Sequence, residues 1–185
     1  MLPWFLVTMV LAVALVRLPY ARAEISPEYK LKAIALLNFA KFVDWPRGAF
    51  PNEKSPIVIG VLGKDPFGPA LDEIVQGRTV GGRALEIRRG RRLELLDGCH
   101  LLYIGTSERS RLAQILAGLR GRPVLTVSDS PDFLAQGGAI QLNMERQKIR
   151  FEICATAAER AQVAISSQLL SLAAVVRTTP CGKDG

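Results

Sequence analysis

The chain has little of what most enzymes use. Among 185 residues it has one histidine, His100, and three cysteines, and none has the Cys-x-x-Cys or Cys/His spacing typical of a metal site. No Gly-x-Ser-x-Gly, His-Glu-x-x-His or Gly-Lys-Ser/Thr motif occurs. These absences argue against a serine hydrolase, a metalloprotease and a phosphate-binding loop. We therefore expect no catalytic activity and no cofactor.

The excess of basic over acidic residues is also small, with 24 Lys and Arg against 17 Asp and Glu. Charged residues make up 22% of the chain and hydrophobic residues 49%, with a net charge of +7. Disordered chains have low hydrophobicity and high net charge, so this composition predicts a folded protein. The basic excess is too diffuse to indicate nucleic acid, and we expect no nucleic-acid partner.

Only one long apolar run occurs, over residues 2–16. A membrane-spanning helix needs about 20 apolar residues, whereas a shorter run followed by a small-x-small triplet is typical of a secretory signal. The triplet Ala21-Arg22-Ala23 follows, so we predict a signal peptide over residues 1–23 and a single domain over residues 24–185. No Lys or Arg precedes the run, and an uncleaved anchor is the alternative.

Export permits disulfides, and the cysteines are Cys99, Cys154 and Cys181. Their number is odd, so at most one pair can form within the chain while the third thiol stays free or pairs between chains. The alternative is two buried thiols and a loose cysteine in the tail.

The first helix is predicted to begin at residues 26–28 and to run to about Val43, before the Trp-Pro at 45–46. Its polar residues Lys30, Asn38 and Lys41 form one narrow stripe, and apolar side chains cover most of the remaining circumference. A helix apolar on so many sides is buried on more than one side. We therefore predict a homodimer with Leu36, Phe39 and Phe42 at its interface.

Continuous apolar strands separated by helices are typical of a parallel sheet covered on both faces. Such strands are predicted over residues 57–62, 99–104 and 123–127. Residues 139–144 and 148–153 alternate and predict an antiparallel hairpin. Residues 155–176 have helical spacing and predict a final helix, with a break recapped by Ser166 as the alternative. The fold class is α/β: a mostly parallel sheet with helices on both faces, a C-terminal antiparallel hairpin, and framing N- and C-terminal helices.

Three sets of polar residues are candidates for binding. At the carboxyl ends of the predicted strands lie Asp65, Thr106, Ser107, Ser128 and Asp129. They either hold a cation or polar ligand or cap the following helices. Six arginines between residues 78 and 92 form a solvated face or meet an anionic partner. Arg150 and Glu152 share one strand face, where they pair with a neighbour or form a recognition patch.

Six segments resemble, in the same order, those of the YfiR family of exported bacterial proteins. They are residues 37–46 (LNFAKFVDWP), 61–68 (VLGKDPFG), 99–104 (CHLLYI), 123–129 (PVLTVSD), 150–153 (RFEI) and 165–170 (ISSQLL). The resemblance implies a periplasmic, non-catalytic regulator that binds and represses the periplasmic domain of a membrane diguanylate cyclase of the YfiN type, controlling cyclic di-GMP and biofilm. It also implies a homodimer and an outer-membrane lipoprotein that relieves repression.

The predicted partner- or ligand-binding residues are Asn38, Lys41, Trp45, Arg150, Glu152, Ser166, Ser167 and Gln168. If the first helix packs near the hairpin, its polar residues should form one charged island with Arg150 and Glu152. The alternative function is a periplasmic module that senses a small molecule.

The sequence departs from the family at its cysteines. Many relatives carry a cysteine that can pair with the counterpart of Cys99, but here Gly60 stands at that place. Cys154 stands where relatives usually have Asn. The resemblance therefore implies that this family disulfide is missing from the chain.

Overall fold

A computed structural model describes residues 26–182, so the predicted signal peptide lies outside the described residues. The helices are α1 (Pro27–Lys41), α2 (Pro69–Val75), α3 (Leu112–Gly118), α4 (Ala155–Arg160) and α5 (Ser167–Leu172). The strands are β1 (Val43–Asp44), β2 (Ile57–Leu62), β3 (Thr79–Val80), β4 (Arg83–Gly90), β5 (Leu101–Ile104), β6 (Leu125–Ser128), β7 (Ile140–Glu145), β8 (Lys148–Cys154), β9 (Ala164–Ile165) and β10 (Val175–Arg177). Short 3-10 helices lie over Arg47–Ala49, Leu93–Leu96, Thr106–Arg111 and Leu134–Gln136.

The central sheet has eight strands in the order β10-β8-β7-β6-β5-β2-β4-β3. Strands β4, β2, β5, β6 and β7 run parallel to one another, and β8 returns antiparallel to β7. At the edges, β3 is antiparallel to β4 and β10 is parallel to β8. The predicted mostly parallel sheet with a C-terminal hairpin is confirmed.

The central strands are buried along their whole length. All six residues of β2 and all four residues of β5 and of β6 are buried. A strand covered on both faces needs apolar residues on both, which is why these segments show no alternation. The sequence pattern therefore located the middle of the sheet.

The two faces of the sheet can be told apart at β5. The ring of Tyr103 lies 4.7 Å from that of Phe67, which in turn lies 5.6 Å from the ring of Tyr29 on α1. Tyr103 therefore points to the side that α1 covers, which we call the α1 face. Strand side chains alternate, so Leu102 and its β6 neighbour Thr126 point to the opposite face.

Helix α1 starts where the sequence predicts and ends slightly earlier. Pro27 occupies its first turn, but the Ser26 side chain makes no capping hydrogen bond. The helix ends at Lys41 because Val43 and Asp44 pair with β9 as the strand β1. The chain thus leaves the helix to form a second, two-stranded sheet.

Two of the three residues predicted at a dimer interface belong to the core. Leu36 and Phe39 are 0% and 1% exposed within one protomer. Phe39 packs edge to face on Phe151 of β8, with ring centroids 5.2 Å apart. The apolar circumference of α1 therefore reflects burial within the same chain, and these two side chains have no surface left for a second copy. Phe42 keeps part of its surface exposed.

The C-terminal segment differs from the single helix predicted over residues 155–176. Helix α4 ends at Arg160, and Gln162 then takes a left-handed conformation with φ of 56°. The chain continues as β9, α5 and β10. Ser166 caps α5, since its Oγ accepts a hydrogen bond from Leu169 N at 3.2 Å, as the alternative expected. The prediction of one helix was wrong because β9 and β10 depend on partners distant in sequence.

The cysteines form one intramolecular pair and leave one thiol. Cys154 at the end of β8 is bonded to Cys181 beyond β10. Cys99 is buried and free. A Cβ placed on Gly60 would stand 3.3 Å from the Cys99 Cβ, so Gly60 does occupy the position facing Cys99.

Candidate partner-binding site

The end of α1 and the start of α5 are joined by backbone hydrogen bonds. Val43 of β1 lies opposite Ile165 of β9, and Ser166 N–H donates to the Phe42 carbonyl at 3.0 Å. Five of the exposed and half-buried side chains at this junction form what we call the α1–α5 surface: Asn38, Lys41, Phe42, Ser167 and Gln168. Four of these five were predicted as binding residues, and the fold brings them together.

The polar groups of the α1–α5 surface are available for a partner. The side chains of Lys41, Asn38 and Gln168 make no hydrogen bond or ion pair with another residue in the range 26–182. The surface therefore offers one cation, together with amide and hydroxyl groups that donate and accept, around the half-buried ring of Phe42. Such groups give orientation and specificity more than affinity.

Trp45 has a different role from the one predicted. Its Nε1–H donates to the His100 carbonyl at 2.9 Å, and its ring lies 5.9 Å from the imidazole and 6.5 Å from Phe50. The imidazole itself accepts from Val58 N–H at 3.0 Å and donates to the Ala49 carbonyl at 3.1 Å. Trp45 thus anchors the chain after β1 to the start of β5, and its indole N–H is used within the chain.

Arg150 and Glu152 lie on the other side of the sheet. Phe151, between them, contacts Phe39 of α1. Successive strand side chains point to opposite faces, so the two charged residues point away from α1. They therefore do not join the polar residues of α1 in the single charged island that the sequence predicts.

Arg150 and Glu152 also have separate partners. Glu152 Oε2 accepts from Arg177 Nη2 of β10 at 3.1 Å, and Arg150 Nε lies 3.8 Å from Glu145 Oε2. Gln141 of β7 stands opposite Glu152. We call Gln141, Arg150, Glu152 and Arg177 the β8 polar face. Sequence reasoning missed Arg177 because it lies next to the segment predicted as a helix.

A buried ionic cluster occupies the carboxyl end of β6. The Asp129 carboxylate accepts from the Tyr103 hydroxyl at 2.7 Å and from the Tyr29 hydroxyl at 3.1 Å. The Lys32 ammonium lies 2.5 Å from the same carboxylate and 2.5 Å from Glu28. The side chains of Lys32 and Asp129 are only 3% and 7% exposed. We call Tyr29, Lys32, Tyr103 and Asp129 the Asp129 cluster.

The charges in this cluster follow from burial and pairing. Burial by itself lowers the pKa of Lys32, but hydrogen bonds to Asp129 and Glu28 outweigh it, so the net pKa is raised. The pKa of Tyr103 is raised by burial and then by the negative charge of Asp129. At neutral pH the cluster holds an ammonium and neutral phenols. Lys32 therefore takes the position at Asp129 that a bound cation would occupy.

Several of the remaining candidates have partners within the chain. Arg89 Nε donates to Asp65 Oδ2 at 2.7 Å, and Ser107 Oγ accepts from a backbone N–H at 2.9 Å. Arg83 and Arg88 donate to backbone carbonyls. Across residues 26–182, no group of three His, Cys, Asp or Glu side chains is placed to hold a metal ion. Arg83, Arg88, Arg89, Asp65 and Ser107 thus serve the fold, whereas the exposed side chains of Arg78, Arg91 and Arg92 make no hydrogen bond or ion pair within residues 26–182.

The comparison with known families agrees with the resemblance of the six segments. Within the described range, no helix is long and apolar enough to cross a membrane. The sequence profile of the YfiR/HmsC-like family matches residues 29–174, a range that includes nearly all of α1 and every strand except β10. The match covers well over half of the 185 residues, and the protein belongs to the YfiR/HmsC-like family of periplasmic regulators of diguanylate cyclases.

Proposed function

We propose that this protein represses a membrane diguanylate cyclase by binding the cyclase's periplasmic domain, and so lowers cyclic di-GMP and restrains biofilm formation. The family match over residues 29–174 carries the proposal. We propose further that residues 1–23 are a cleaved signal peptide and that residues 24–185 form one domain in the periplasm. This domain would act by binding the cyclase, without catalysing a reaction.

The α1–α5 surface is the contact that we propose for the cyclase. It combines polar groups that have no partner within residues 26–182 with the half-buried ring of Phe42. Covering apolar surface contributes about 25 cal/mol per Å², while the polar groups exclude partners that leave them unpaired. The β8 polar face, on the other side of the sheet, is the competing location.

A homodimer and an outer-membrane lipoprotein that relieves repression complete the proposal. Because Leu36 and Phe39 are buried, the exposed large apolar side chains of α1 left for a second copy are Leu31 (38% exposed) and Ile34 (45% exposed). Ile34→Asp should therefore convert a dimer to monomers without unfolding it, as measured by sedimentation velocity. A wild-type monomer at micromolar concentration would remove the dimer from the proposal.

Repression is tested by measuring cyclic di-GMP in cells. Deleting the gene should raise cyclic di-GMP, and a plasmid copy should lower it again. Lys41→Glu should fail to lower it while keeping its melting temperature, because exposed charge changes alter stability by only about 0.5 kcal/mol. Lys54→Glu, an equal charge change at an exposed loop residue, is the matched control and should repress normally.

Glu152→Lys distinguishes the two surfaces. If Glu152→Lys loses repression while Lys41→Glu retains it, the contact lies on the β8 polar face. Cyclic di-GMP unchanged by deletion, in cells shown to make both the protein and a periplasm-facing cyclase, would refute repression itself.

A further inference from the structure

A cleft of about 640 Å³ opens between α3 and α4, which we call the α3–α4 cleft. Ala117 of α3 lines one side, Ala157 and Ala161 at α4 line another, and Thr126 of β6 lies at the cleft as well. Thr126 points to the face opposite α1, so the cleft is separate from the α1–α5 surface. Its volume falls within the range of about 300 to 1,000 Å³ that is typical of small-molecule sites.

The side chains along the helices leave the cleft open. Each alanine projects a single methyl group, so α3 and α4 present apolar walls without filling the space between them. Apolar walls with a few polar groups are typical of sites that bury the body of a small ligand. An aromatic or other flat apolar body suits this arrangement, and a large side chain on one wall would occupy the same space.

The charged residues that line the cleft within the described range are both basic. Arg120 and Arg160 are among the lining residues, and no described Asp or Glu is. Arg160 Nη2 donates to the Cys181 carbonyl at 2.7 Å, which holds the C-terminal segment against α4. The exposed Arg120 guanidinium makes no hydrogen bond or ion pair within residues 26–182. A guanidinium pairs bidentately with a carboxylate, sulfonate or phosphate, so the cleft is complementary to an anion.

A buried hydroxyl adds a donor at the cleft. Thr126 is only 7% exposed, and its Oγ1 accepts from Ala139 N–H at 3.0 Å. The hydroxyl proton has no acceptor within the described part of the chain. A ligand acceptor in the cleft would take a hydrogen bond from this hydroxyl.

We propose that the α3–α4 cleft binds a small organic anion, with an apolar body between the alanine-lined walls and its acidic group at Arg120. Thr126 donates a hydrogen bond to a polar atom of the ligand. This inference goes beyond cyclase repression and does not depend on it, because the cleft and the α1–α5 surface share no residue.

The probe for this site is 1-anilinonaphthalene-8-sulfonate, an aromatic anion whose fluorescence rises in apolar surroundings. Titrated into the folded, disulfide-bonded protein, it should bind with one-to-one stoichiometry. Arg120→Ala should weaken binding at least fivefold, and Ala161→Trp should abolish it. The neutral analogue N-phenyl-1-naphthylamine should bind the wild type at least fivefold more weakly than the anion.

Arg109→Ala is the matched control, because Arg109 is an exposed arginine before α3 that does not line the cleft. It should bind the probe as the wild type does. Probe binding that is equal in the Arg120→Ala and Arg109→Ala variants, or absent from the wild type, would overturn the proposal. If Ala161→Trp does not fold, the comparison of the two arginine variants decides the question alone. Cyclic di-GMP repression by Arg120→Ala is a separate readout and should be unchanged.

Discussion

Removing the Asp129 carboxylate should destabilise the fold far more than removing any exposed acid. In the Asp129→Ala variant, the Lys32 ammonium, 3% exposed, keeps Glu28 as its one carboxylate partner within residues 26–182, beside the Tyr29 ring 4.4 Å away. The Tyr103 hydroxyl, on a residue that is 0% exposed, loses its acceptor. The change therefore leaves a buried charge and a buried donor poorly satisfied.

The size of the effect follows from these two losses. Breaking a buried ion pair by removing one partner costs about 3 to 5 kcal/mol. Glu28 still neutralises part of the Lys32 charge, so we expect the lower half of this range, about 3 to 4 kcal/mol. The control is Asp97→Ala, which breaks the Asp97–Arg122 pair, whose side chains are 77% and 46% exposed. Exposed pairs contribute about 0 to 1 kcal/mol.

Urea unfolding at pH 7, followed by far-ultraviolet circular dichroism, measures both free energies. A double variant, Lys32→Met with Asp129→Leu, should lose less stability than the sum of its single variants, because neither charge is then left alone. If Asp129→Ala lost no more stability than Asp97→Ala, the Asp129 cluster would not hold α1 on the sheet, and the reasoning would be refuted.

The disulfide, the single histidine and the free cysteine each provide a further test. Cys181→Ser opens a link between residues 27 apart and should lower the free energy of unfolding by about 3 to 4 kcal/mol, as urea titration without reductant would show. Unchanged stability would contradict this. Burial lowers the pKa of His100 below 6.5, so the folded chain binds this proton less readily than the unfolded one. The stability of the folded protein is therefore unaffected by His100 above pH 6.5 and falls as the pH drops through 6.5 toward the pKa of His100 in the folded state. An NMR titration that gave His100 a pKa of 6.5 or more would refute this prediction. Burial raises the pKa of Cys99 to about 12, so the native thiol should resist alkylation, whereas Gly60→Cys should close a disulfide with it. Rapid labelling of Cys99 in the native wild type would contradict the expected protection of the thiol. Two alkylatable thiols in the unfolded Gly60→Cys variant would contradict the expected disulfide.

Elements whose signals lie within a few neighbouring residues were predicted from the sequence. Strand β2 covers residues 57–62 as expected. The alternation of residues 139–144 and 148–153 predicted the β7–β8 hairpin. In each case a short stretch contains its own capping residues, its turn and its apolar pattern.

Elements that depend on a distant partner were not predicted. Residues 155–176 have helical spacing, yet the chain breaks to form β9 against β1 and β10 against β8. Strand pairing contributes free energy that no local pattern contains, since the partner of Ile165 is Val43. The odd cysteine count allowed a single pair, and only the tertiary structure chose Cys154 with Cys181.

The sequence by itself determined the α/β class, the order of the central strands and helices along the chain, and the family, because apolar periodicity, caps and short motifs are local. The tertiary structure decided which surfaces exist. Helical spacing showed that α1 is apolar on most sides, but the sheet of the same chain covers Leu36 and Phe39. Strand alternation showed that Arg150 and Glu152 share a face, but only the packing of α1 on Phe151 decided which face that is. Burial is a property of what covers a residue, and here the covering elements come from segments up to about a hundred residues apart, as Tyr29 and Asp129 show.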